Sequence, residues 1–65
     1  MAFTLEEIYL IRNINSKKKD EIIYELKMLR KNNTDPDIVE IADHALAKLR
    51  GASDKMFSEL MNYPL

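Results

Sequence analysis

Glu40 and His44 stand four residues apart, a spacing that puts a carboxylate and an imidazole on one turn of a helix. With Asp37 and Asp43 nearby, the pair could be half of a metal site or an acid–base couple. A working metal site needs a third or fourth ligand, and the chain has one His and no Cys to supply it. A glutamate–histidine pair is also an ordinary contact on an exposed helix surface. Asp35 and Asp37 look like paired carboxylates, yet each has routine work at a helix start. Ser16, Ser53 and Ser58 come without a local base that would activate a nucleophile. These residues read as non-enzymatic: no catalytic residue, no metal and no cofactor.

Binding chemistry is better represented. Lys17, Lys18 and Lys19 are consecutive, and Lys27, Arg30 and Lys31 follow in the same stretch. Residues 16–34 hold six basic and three acidic side chains, a net of +3. Residues 35–47 hold Asp35, Asp37, Glu40 and Asp43 with no Lys or Arg, a net of −4. Lysines beside the free N–H groups of a helix start can hold a phosphate. That makes Lys17, Lys18, Lys19, Arg30 and Lys31 the candidate contact for an anion or a nucleic acid. The plainer reading is a solvated corner whose charge Asp20 and Glu21 offset. Tyr24 and Met28, one turn apart, are the candidate contact for a protein partner, since both residue types are enriched at interfaces. The alternative is that the C-terminal segment around Tyr63 and Leu65 covers them.

Helices must position these groups. Thr4 reads as an N-cap, Glu7 completes a capping box, and Phe3 is placed to staple against Ile8. Apolar residues from Leu5 to Ile14 cover most of this first helix, which must therefore be buried on more than one side or meet a partner. Ser16 is the expected N-cap of a second helix running to about Lys31, with Ile22, Ile23, Leu26 and Leu29 facing inward. Asn32 and Asn33 are expected to close it with a left-handed turn. Asp35 then caps a third helix with Pro36 in its first position. Ile38, Ile41, Ala42, Ala45, Leu46 and Leu49 share one face of it, and Asp37, Glu40, His44 and Lys48 share the other. Gly51, the only glycine, stands at its C-terminal cap. Ser53 or Asp54 caps a short fourth helix bearing Met56, Phe57, Leu60 and Met61, and Tyr63-Pro64 ends it. No alternating β-branched run and no internal repeat appears. The expectation is an all-α fold, a small bundle of three helices plus a short C-terminal fourth, with residues 1–65 as a single helical domain.

Composition sets the outer limits. The 65 residues form a thin core, since a chain of this size buries only about 60% of its unfolded surface. Zero Cys excludes disulfides and thiolate chemistry, and one Gly excludes a glycine-rich phosphate loop. Ten basic and eleven acidic residues leave a net charge of −1, which selects neither nucleic acid nor membrane. The opening MAFTLEEIYL is acidic, unlike a signal peptide, and no apolar run is long enough for membrane insertion. A cytoplasmic protein, monomeric or weakly homodimeric, is the expectation.

Several stretches together resemble the putative transposon-transfer assisting family, small proteins of bacterial conjugative transposons. They are Phe3-Thr4-Leu5-Glu6-Glu7, the run Asp35-Pro36-Asp37-Ile38-Val39-Glu40-Ile41-Ala42, Lys48-Leu49, and Ser53-Asp54 followed by Phe57, with Pro64 near the end. The resemblance spans nearly the whole chain in one order, and most of the matching residues are caps and core positions. The chain departs from the pattern in its lysine-rich second helix and in Lys55-Met56. The resemblance implies an accessory role in transfer of a mobile element, and it carries over no catalytic residue. Two functions follow as expectations: assistance to transfer through protein–protein contacts, or a small nucleic-acid-binding regulator of the element that uses the basic second helix.

Overall fold

The computed structural model describes residues 2–65. Four helices follow in order: α1 (Leu5–Arg12), α2 (Lys19–Asn32), α3 (Pro36–Arg50) and α4 (Asp54–Asn62). Among the described residues there is no strand, and the all-α expectation holds.

Local chemistry accounts for three of the four starts. The Thr4 hydroxyl accepts the Glu7 N–H at 3.2 Å, and Glu7 Oε1 accepts the Thr4 N–H at 2.9 Å, which completes the capping box. Asp35 Oδ1 accepts the Asp37 N–H at 3.0 Å, with Pro36 opening α3. Ser53, rather than Asp54, caps α4 by accepting the Met56 N–H at 3.2 Å.

The second helix differs from expectation. Ser16 is not its N-cap. Its hydroxyl accepts the Lys18 N–H at 3.2 Å and donates to Glu21 Oε1 at 2.6 Å, closing a serine turn ahead of the helix. The helix therefore starts at Lys19, with Lys18 as an N-cap that makes no side-chain capping bond. Its other end differs too. Asn33 is extended at φ −94°, ψ 139°, and its side-chain oxygen accepts the Asp35 N–H at 2.9 Å. That asparagine turn hands the chain directly to the Asp35 cap and needs no left-handed residue. Helix α1 also stops early, at Arg12, and leaves Ile14 in the connection to α2.

Helix α3 packs against both α1 and α2. Contacts tie the helices together: Glu7 on α1 meets Lys48, while Lys19 meets Ala52 and Arg30 meets Asp43. The two contacts along α2 run it antiparallel to α3. The shared core holds Phe3, Ile8, Ile11, Ile22, Leu26, Ala45, Leu46, Leu49 and Leu60, with Met56, Phe57 and Met61 packed on it from α4. Arg12 fastens the end of α4, donating to the Tyr63 carbonyl at 2.6 Å. The molecule measures 32 × 21 × 20 Å, about two helix diameters across its short axes. Every helix therefore keeps one side in water.

Candidate functional site

The lysines expected to bind an anion separate into two groups. Lys17 and Lys18 are exposed on the segment that leads into α2. Lys19 turns inward, and its ammonium donates to the Ala52 carbonyl at 2.7 Å. It closes the α3–α4 connection, a bond between residues 33 apart in the chain. Arg30 is likewise engaged, at 2.7 Å from Asp43 on α3. Lys31 is exposed near the far end of α2, whose 14 residues separate it from Lys17 and Lys18 by about 20 Å. The five cations do not converge.

Tyr24 is 61% exposed on α2. Leu65 is 57% exposed, and Arg12 draws the C-terminal segment to the end of α1, so the tail does not cover Tyr24. Tyr24 borders a groove with Ile14, Asp20, Glu21 and Glu25. Met28, one turn on, is half-buried and lines a separate depression with Leu29 and Asn33. The pair shares a side of α2 but not a cavity.

Glu40 and His44 are both exposed on α3. Among the described residues no group of three His, Cys, Asp or Glu side chains is arranged to hold a metal ion. Asp35 is occupied by its capping bond to the Asp37 N–H.

The polar centre of the fold lies elsewhere. Glu7 is the one buried charged residue among those described, and its Oε1 accepts from both the Thr4 N–H and the Lys48 ammonium. Burial alone would raise its pKa. The Lys48 bond at 2.7 Å, the Thr4 N–H and the nearby positive charge of Lys48 and His44 outweigh burial and hold it below the ordinary 4.5. Lys48 also lies 6.0 Å from the centre of the Phe3 ring. The sequence pattern placed Lys48 on the polar face of α3, whereas the structure turns it onto α1. Its only sequence signal was a lysine on the last turn of a helix whose neighbouring positions are core.

A family model described as putative transposon-transfer assisting protein matches residues 3–64. The chain belongs to that family. No curated protein and no solved structure matches it. The family description concerns assistance to transposon transfer, and the matched region contains all four helices. No helix among the described residues is long and apolar enough to cross a membrane.

Proposed function

We propose that the protein is a non-enzymatic accessory factor of a conjugative transposon and assists transfer by binding another protein. It acts in the cytoplasm as a monomer or weak homodimer, with residues 1–65 as one domain. Membership of the transfer-assisting family supports the setting. The observation that carries the binding mode is the exposed Tyr24, left uncovered on α2 beside Ile14 and with Met28 one turn away. Aromatic side chains and Met are the residue types that interfaces gather. The nucleic-acid reading keeps Lys17 and Lys18 at one end of α2 and Lys31 at the other, because Lys19 and Arg30 already serve contacts within the fold.

Two measurements test the proposal. Deleting the gene should lower the transfer frequency of the element, and unchanged transfer would remove the accessory role. Affinity capture from cells carrying the element should retain a partner protein, and the Tyr24→Ser, Met28→Ser double variant should retain less. Capture of DNA in place of protein would favour the regulator reading.

A further inference from the structure

Helix α1 is apolar nearly all round, yet its packing leaves one apolar side uncovered. Tyr9 is 57% exposed, and Leu5, one turn earlier on the same side, is 55% exposed. Beyond Leu5 the helix borders the first turns of α3. Tyr9 and Leu10 there form a groove with Ile38 and Ile41. Both isoleucines belong to the core face by spacing, but both are only half-buried. Isolated exposed apolar residues are normal on any surface. An exposed tyrosine with three half-buried apolar neighbours, together lining a groove between two helices, is a different feature.

The rim of the groove has one sign of charge. Glu6 borders it from α1, and Glu6, Asp37, Glu40 and Ile41 together line the depression adjoining it. No Lys or Arg lines either depression. The groove beside Tyr24 is also acidic, but Ile14 and Tyr24 are its only large apolar residues. An apolar floor flanked by carboxylates selects an occupant that is apolar on one stripe and basic on its flanks. An anionic lipid surface or a nucleic acid would meet like charge.

We propose that the α1–α3 groove docks a basic amphipathic helix of the partner protein. The apolar stripe of that helix packs on Tyr9, Leu10, Ile38 and Ile41, and its Lys or Arg side chains face Glu6, Asp37 and Glu40. This rests on the protein-binding reading above and adds a second contact surface, apart from Tyr24 and Met28, together with the chemistry of the segment that it takes.

The probe is a designed Leu/Lys amphipathic helix of about four turns, with its Leu/Glu counterpart as control. Amide chemical shifts of the full chain, titrated with the Leu/Lys peptide, should move at Tyr9, Leu10, Asn13, Ile38 and Ile41. The Leu/Glu peptide should leave them in place. Tyr9→Ser should weaken the Leu/Lys peptide about tenfold, a size typical of a central interface aromatic. Tyr9 is more than half exposed, so this variant keeps its helicity, which circular dichroism checks. Glu6→Gln with Glu40→Gln should weaken binding and flatten its salt dependence. Equal binding of the two peptides, or shifts centred on Tyr24 and Met28, would overturn the groove assignment. Concentration-dependent self-association that Tyr9→Ser abolishes would make a second copy the occupant and would overturn it as well. A partner captured equally by wild type and the Tyr9 and Glu variants defeats this inference but leaves the proposed function standing. Failure of the wild type to capture any protein defeats the proposed function itself.

Discussion

Glu7 on α1 and Lys48 on α3 meet at 2.7 Å, and they are 41 residues apart in the chain. The carboxylate is buried while the lysine side chain keeps 33% of its surface in water. One oxygen thus completes the cap of the first helix and ties that helix to the third. Local and tertiary structure share an atom here.

This contact makes stability depend on pH in a defined direction. The folded-state pKa of Glu7 lies below 4.5, so its contribution is fully present above that pH. It is lost as pH falls through the folded value, when the carboxyl takes up a proton. Denaturant titrations between pH 7 and pH 3 should show stability falling on the acid side, and Glu7→Gln should flatten that limb. Lys48→Met should cost about 2 kcal/mol near neutral pH, because a buried carboxylate then loses its charged donor. An unchanged midpoint for Lys48→Met would mean that water replaces the lysine.

The start of α2 offers a gain of stability. Lys18 is an N-cap in extended conformation, φ −98° and ψ 131°, with no side-chain capping bond. Lys18→Asp adds a capping oxygen and removes a cation from the positive end of the helix dipole. It should stabilise the fold by about 1 kcal/mol, the usual worth of an N-cap. Lys19→Ala should move the other way by a similar amount, since the carbonyl of Ala52 loses its ammonium donor in a partly buried bond. Chemical denaturation of the two single variants checks both signs. Equal effects would show that the three lysines form one interchangeable run.

The helices were legible in the sequence because their start signals are short-range. Thr4, Asp35 and Ser53 each bond a backbone N–H two or three residues ahead. Ser16 shows the limit of such signals. A serine that caps a helix and a serine that closes a turn before one use the same acceptor, and residue type does not separate them. Asn33 misled for the same reason, since its side chain supplies a turn that a left-handed backbone would otherwise make. The long-range bonds were not legible at all. Lys48 to Glu7, Lys19 to Ala52 and Arg12 to Tyr63 exist only after α3 has packed against its neighbours and α4 has folded back. The candidate cations divided along that line: Lys19 and Arg30 were drawn into contacts of the fold, and Lys17, Lys18 and Lys31 stayed outside them.

Gly51 ends α3 without using the freedom of glycine. Its φ of −97° suits any residue, and an added Cβ would come no closer than 4.0 Å to the Lys48 carbonyl oxygen. Gly51→Ala should therefore be stabilising by about 0.5 kcal/mol, through loss of conformational freedom in the unfolded chain. Thermal unfolding of the variant measures this. A fall in midpoint would show that the α3–α4 connection samples a left-handed conformation at Gly51.

The last prediction separates protein from nucleic acid as the partner. Lys17 and Lys18 are exposed, so Lys17→Gln with Lys18→Gln should leave stability within about 0.5 kcal/mol of wild type, as surface changes usually do. The same variant tests phosphate contact without disturbing the bond that Lys19 makes to Ala52. If protein contact is the function, duplex DNA binds weakly and the double variant transfers the element nearly as well as wild type. If the basic segment grips phosphate, the variant loses DNA affinity, and the slope of log affinity against log salt flattens by about 0.9 for each contact removed. Titrations of both proteins with duplex DNA at two salt concentrations read this directly. Tight, steeply salt-dependent binding that the two substitutions abolish would overturn the protein-partner reading. The expected result is weak binding with a shallow slope, because the two lysines lie on a chain of net charge −1 whose third helix carries Asp37, Glu40 and Asp43 with no Lys or Arg before Lys48.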